Sequence, residues 1–492
     1  MQRRDFLRTG TGMVLTSLAA PRLFAADETP SDKPLDIGSN KILFVDEKYI
    51  AEKQFVRLHM QVPHKTGEIS LEAARPWESA TLNWFSVLKE DDRYRMWYEC
   101  YDVDGWPTGD DTSFCYAEST DGIHWTKPKL KQFTYQGSNE NNILFRQIGE
   151  GTYRSRVHGC GVFLDPTAPP EERYKGISQG LFQGIGERPH YVAGMTSPDG
   201  LHWTRLPKPI CPIFADSQYS GFWDTDLKQY VIYGRVGGRG RSLGRSESKD
   251  FSEFPVLSKV LETDESEPAH VDLYNPAAMK YPGTSDLYLM FPNRFDWQKD
   301  TLDIRFATSR DGIHWSWPDR DLPFIPLGDA GEFDSGSLYL GQGLIQTETE
   351  MWFYYGASRL KHEETTLEQL TDPKNQRRYS RVVLPLDRLV AVENDFDAIG
   401  SITTPPLKFN GKQLSLNAKV REGGSVKVGL IGADGNDIAG HTLETCEPIM
   451  GDSLAHTVAW TSGPNLPARK GEALRLRIEL RNASLFAMQF VG

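Results

Sequence analysis

"STDGIHWTKP" (119–128), "SPDGLHWTRL" (197–206) and "SRDGIHWSWP" (309–318) spell one Ser-x-Asp-Gly-x-His-Trp run three times in a single chain. Asp before Gly favours a tight turn, because the carboxylate accepts backbone N–H groups and glycine supplies a positive φ. Trp125, Trp203 and Trp315 are then expected to return from the turn as aromatics buried between neighbouring sheets. Folding accounts for the whole motif, so His124, His202 and His314 are read as framework and not as catalytic groups.

The text around the motif repeats too. Each copy is preceded by an apolar strand, a polar turn, an aromatic-rich strand, a variable loop and a third strand. A further unit carries a degenerate motif, "SESKDFSEF" (246–254), and another lacks it. First strands begin near residues 81, 158, 217, 273 and 335. Self-similarity at such a period, with three or four strands per unit, is the signature of a propeller. The fold expected is all-β: a five-bladed β-propeller over residues 40–400, with "KILFVDEKYI" (41–50) near the ring closure. After "TTPP" (403–406) the register changes to short strands such as "SVKVGLIG" (425–432) and "LFAMQFV" (485–491), which predicts a small β-sandwich over 405–492. The one helix candidate is "HEETTLEQLTDPKNQRR" (362–378), polar and broken by Pro373.

The 492 residues carry a formal net charge of −12. The first 25 hold Arg3, Arg4, Arg8 and Arg22 against Asp5 alone, so the remainder is more acidic still. Such a protein is not expected to bind nucleic acid or an anionic membrane, both of which call for basic patches. "MQRRDFLRTG" followed by "GMVLTSLAA" reads as a twin-arginine export signal over residues 1–26, placing the protein in the periplasm or outside the cell. Its apolar run is short of the ~20 residues a transmembrane helix needs. The cysteines are five and scattered, which is no disulfide framework and no zinc spacing. Cys100 and Cys115 could pair across neighbouring strands or remain buried thiols.

With "PWES" (76–79) and "FDSG" (333–336), the repeats resemble an exported branch of the five-bladed β-propeller glycoside hydrolases, the superfamily of families 43 and 32. The resemblance rests on the repeat pattern over about residues 40–400 more than on sequence identity, and the textual signatures of the well-studied members are not cleanly present, so it does not carry a specific activity over. It implies a carbohydrate ligand, no cofactor, and room for a structural channel ion such as calcium. The turn motif is also reminiscent of the sialidase Asp-box, but that family's six blades and arginine triad are not assignable here.

In a propeller the first strand of each blade starts at one mouth of the central funnel. Those positions hold Glu78 with Trp77, Arg156 with His158, Asp216 with Ser217, Asp272 with Tyr274, and Asp334. Glycoside hydrolysis needs a protonated acid and an ionised base or nucleophile flanking the scissile bond. Glu78, Asp216, Asp272 and Asp334 are therefore the catalytic candidates, with Asp216 and Glu78 the favoured pair. Trp77, Arg156, His158, Ser217, Tyr274 and His362 are the substrate-binding candidates, Trp77 and Tyr274 by stacking on a sugar face. "GRVGGRGRSLG" (234–244) is read as a loop whose Arg235, Arg239 and Arg241 could meet an acidic sugar. The alternative is a non-catalytic carbohydrate-binding or scaffold propeller using the same funnel.

Overall fold

The computed structural model describes residues 33–105, 112–148, 155–182, 190–214, 216–394, 398–467 and 472–492, without the side chains of residues 155, 156, 181 and 214. The expected export signal lies outside the described residues. The protein is almost entirely β, arranged as a propeller-like ring of sheets, with one α-helix, Leu367–Thr371, among the described residues. That helix is the part of the 362–378 candidate that Pro373 leaves room for, capped reciprocally by Thr366 and Gln369.

Four sheets are separate four-stranded antiparallel units, spanning Thr81–Phe145, His158–Phe214, Ser220–Leu261 and Ala278–Ser316. The fifth repeat unit does not stand alone. Its strands Glu350–Ser358 and Arg378–Pro385 belong to a nine-stranded sheet, because Leu302 pairs in parallel with Ser337 and joins unit four to unit five. Strand pairing by itself thus separates four blades. The outer strand of the fifth unit is supplied from far upstream: His64–Lys65 and Leu71–Glu72 pair with Arg378–Pro385. Residues 42–43, expected at that closure, pair instead with 487–488.

The three motifs tie one sheet to the next. Gly122, Gly200 and Gly312 have φ of +72°, +76° and +73°, a region open to glycine. The space beside them is also filled: a Cβ on Gly200 would lie 2.6 Å from the Trp97 ring, and one on Gly312 2.7 Å from the Tyr233 hydroxyl. The glycine carbonyls accept hydrogen bonds from the preceding sheet in the ring, Gly122 from Tyr354 (2.6 Å), Gly200 from Trp97 (2.6 Å) and Gly312 from Tyr233 (2.8 Å). Each motif Asp accepts the backbone N–H groups two and three residues on, and binds the motif His through its second oxygen. Trp125, Trp203 and Trp315 are half-buried rather than fully buried, edge-on to Tyr354, Phe114 and Tyr233. A second device joins neighbouring units as well: Tyr174, Tyr230 and Tyr288 donate to Glu90, Asp165 and Asp224 in the first-strand turn of the preceding unit.

Inner strands meet at the centre. Gln218 Nε2 donates to Phe85 O and Cys160 O, and Gln342 Nε2 donates to Gly221 O. Side-chain amides thus bridge the inner strands of neighbouring units. The glycines of "HGCG" (158–161) allow this approach, since a Cβ on Gly161 would come within 2.1 Å of Tyr219 O. Strands Gln413–Ile431 and Arg475–Val491 pair along their length in an eight-stranded sheet that also takes in Ile42–Leu43, Glu52–Gln54 and Arg57–Met60. All five cysteines are buried thiols, Cys100 and Cys115 lying 3.6 Å apart across neighbouring strands.

Candidate active site

Two of the four candidate carboxylates come together. Asp216, just before the Ser220–Asp224 strand, places Oδ2 3.1 Å from Arg235 and Oδ1 3.6 Å from His158 Nε2, with its side chain 38% exposed. His158 opens the His158–Leu164 strand, and its Nδ1 lies 2.8 Å from Oε1 of Glu99, which is wholly buried in the Arg93–Tyr101 strand. Glu99 also accepts from Gly159 N–H (2.8 Å) and Asn83 Nδ2 (3.0 Å). Asp272, in Val271–Leu273, pairs through Oδ2 with Arg241 at 3.0 Å, and its buried Oδ1 has no hydrogen-bond partner.

The stretch 234–244 is not a loop. It is the tip of a hairpin, Gln229–Gly238 with Gly240–Ser248, and it lays two of its three arginines over one ring, Arg235 at 5.5 Å and Arg241 at 5.3 Å from the Tyr274 centroid, while Arg239 donates to Glu267 O. Below them lies an aromatic floor. Tyr274 stacks on Trp84 (6.2 Å) and meets the edge of His362 (4.9 Å), whose Nδ1 is 2.6 Å from the Tyr339 hydroxyl. Phe295 packs against both Tyr274 and His362. The groups contributed by the five repeat units thus form one continuous circuit of contacts. His158, Asp216, Asp272, Tyr274 and His362 are the predicted residues that the structure brings into it.

The two carboxylates are driven in opposite directions. Burial works against ionising Asp216, but His158 and Arg235 outweigh it and hold the carboxyl well below the usual range. Burial dominates at Asp272 and raises its pKa, with Arg241 pulling back less strongly. Glu99 is also buried, yet His158 and the Gly159 N–H keep it below the ordinary value.

The remaining candidates sit elsewhere. Glu78 is 0% exposed and ends a 3-10 turn, Pro76–Glu78. It accepts from Ala74 N, Tyr98 Oη and Lys127 Nζ (2.8, 2.6 and 2.7 Å), so no oxygen faces a ligand. The favoured Asp216–Glu78 pair is not assembled, because the capping turn draws Glu78 into the sheet. Trp77 is buried beside it, donating to Asn142 Oδ1 and packing on Tyr135. Asp334 is buried against Lys65 at 2.6 Å and shares no partner with the circuit. Ser217 is buried with its hydroxyl unpartnered. The side chain of Arg156 lies outside the described residues. Glu99, Trp84, Tyr339 and Arg377 were missed; a lone Glu inside the aromatic "MWYEC" strand (96–100) was the available signal. Glu78→Gln is expected to lower stability by about 3–5 kcal/mol, since it strands the buried Lys127 ammonium. Thermal unfolding checks this; a melt like that of the wild type contradicts it.

Among the described residues, no group of three or more His, Cys, Asp or Glu is placed to hold a metal ion, and no helix is long and apolar enough to cross a membrane. No protein-family model matches the sequence, and no curated protein matches it. Solved structures do match. A complex of BT0996 and RGII aligns with a TM-score of 0.49 and 16% identity over 66% of this protein and 92% of that one. A structure described as a glycoside hydrolase aligns at 0.47 and 16%, over 66% and 92%. A thermostable family-43 glycoside hydrolase aligns at 0.44 and 12%, over 68% and 97%.

Proposed function

We propose that the protein is an exported glycoside hydrolase that cleaves a poly- or oligosaccharide at the mouth of a five-bladed propeller. In this reading the fifth blade is the 350–385 hairpin with its upstream outer strand, and residues 405–492 form an accessory β-sandwich. One observation carries the proposal: two carboxylates, each paired with an arginine that lies over the Tyr274 ring, have environments that push their pKa values apart, the pattern that separates an acid from a base. Asp272, whose pKa burial raises against the pull of Arg241, donates a proton to the departing glycosidic oxygen. Asp216, kept ionised by Arg235 and His158, acts as base or nucleophile. Glu99 touches no ligand; through His158 it positions Asp216. A sugar packs beside Tyr274, a ring of the aromatic floor that is only half-buried.

A second reading has its own support. Arg235 and Arg241 already occupy the same two carboxylates, as in a site that binds without cleaving. A panel of plant and algal poly- and oligosaccharides, assayed for new reducing ends and by calorimetry, separates the two. Release of reducing ends supports hydrolysis. Binding without release supports the second reading, and neither result on any sugar overturns both.

A further inference from the structure

One arginine of the circuit meets none of its carboxylates. Asp216 is met by Arg235 and His158, Glu99 by His158, and Asp272 by Arg241. Arg377, just before the Arg378–Pro385 strand, is different. Its guanidinium lies 4.4 Å above the Tyr339 ring and donates to Asn83 Oδ1 at 2.8 Å. Its Nε is buried without a hydrogen-bond partner, and none of the ion pairs among the described residues includes it.

Asn83 also donates to Glu99, and Tyr339 binds His362, so Arg377 is wired into the circuit from two sides. An arginine stacked on an aromatic face is pre-organised for a planar anion, because few rotamers are left to freeze. Leaving such a charge unmatched in a partly desolvated mouth is costly unless a ligand meets it. The protein as a whole is strongly acidic, with a net charge of −12, so long-range attraction does not draw an anion to it and recognition has to be local.

We infer that Arg377 is a specificity residue for an anionic sugar, pairing with a carboxylate or sulfate ester on a sugar residue bound beside Tyr274. The inference rests on the carbohydrate reading above but not on cleavage. A carboxylate matches the guanidinium fork in two parallel hydrogen bonds, as does a sulfate through two of its oxygens.

The test is binding calorimetry with the full-length protein and paired probes that differ only in charge: oligogalacturonates against their methyl esters, and sulfated galactan oligosaccharides against the desulfated ones. The wild type is expected to bind one charged probe about 10–100-fold more tightly than its neutral partner, as for a hydrogen bond to a charged group. Whichever pair responds identifies the anion. Arg377→Gln is expected to erase that preference while leaving affinity for the neutral probe within about threefold, and Arg377→Lys to restore part of it. Equal binding of charged and neutral probes by the wild type overturns the inference and leaves the carbohydrate reading standing, whether or not Arg377→Gln folds. A preference that survives in Arg377→Gln overturns Arg377 as its source. Failure of the wild type to bind any of the probes, charged or neutral, overturns both.

Discussion

Asp272→Asn is expected to fold normally and lose turnover by about 10²–10⁴-fold on any sugar the wild type cleaves, the range for removing a general acid. Asparagine matches the protonated carboxyl in shape and lacks the proton. Stability should move the opposite way to activity. A carboxyl whose pKa is raised by folding is penalised as pH rises through that pKa, because the folded state resists ionisation. The amide escapes that penalty, so the stability of the variant relative to the wild type should improve from acid to neutral pH. Asp216 has the reverse sign: its depressed pKa contributes stability above the unfolded value of about 3.9, and this is lost on acidification. Initial rates and thermal melts across pH check both halves. An Asp272→Asn variant with undiminished turnover would remove the acid from the mechanism.

Trp97→Ala is expected to cost about 3–5 kcal/mol, the range for truncating a buried tryptophan. The indole is fully buried at the boundary between the first two sheets, against Tyr116 and Tyr174 and beneath the Arg95 guanidinium. Its Nε1 donates to Gly200 O, the same carbonyl that Trp203 uses at 2.9 Å. One substitution therefore opens a cavity and unpins the second motif from the first sheet. Guanidinium unfolding followed by fluorescence checks it. A loss below about 1 kcal/mol would mean that the motif does not tie the sheets together.

The propeller-like ring was legible because its signal is repeated. Asp-Gly turns with a following Trp recur at matching positions, and the structure uses each for the same contact. The site was legible only where a mouth position was also free of local bonding. Glu78 and Asp334 stand just before a first strand as Asp216 does, whereas Asp272 lies inside Val271–Leu273, and a capping turn and a lysine claim Glu78 and Asp334. The capping pattern, an acidic residue three positions after an extended one and just after Pro-Trp, is written in "RPWES" (75–79) and outweighed the register argument. Arg377 and Glu99 were hidden for another reason. They lie at a strand start and within a strand far from any motif, and tertiary pairing with Asn83 alone brings them together. The glycine-rich 234–244 stretch was read as a loop because glycine weakens a strand, whereas here it lets the hairpin tip lie against Asp272: a Cβ on Gly240 would sit 3.0 Å from the Asp272 Cβ.

The central claim is that two carboxylates, each paired with an arginine lying over Tyr274, have pKa values displaced in opposite directions. Carbon-13 NMR of protein labelled at the aspartate carboxyl carbon, with Asp216→Asn and Asp272→Asn used to assign the two resonances, measures it directly. Asp272 should titrate above the ordinary aspartate value of about 3.9 and Asp216 below it. Two resonances titrating together near that value, or Asp272 titrating below Asp216, would contradict the account.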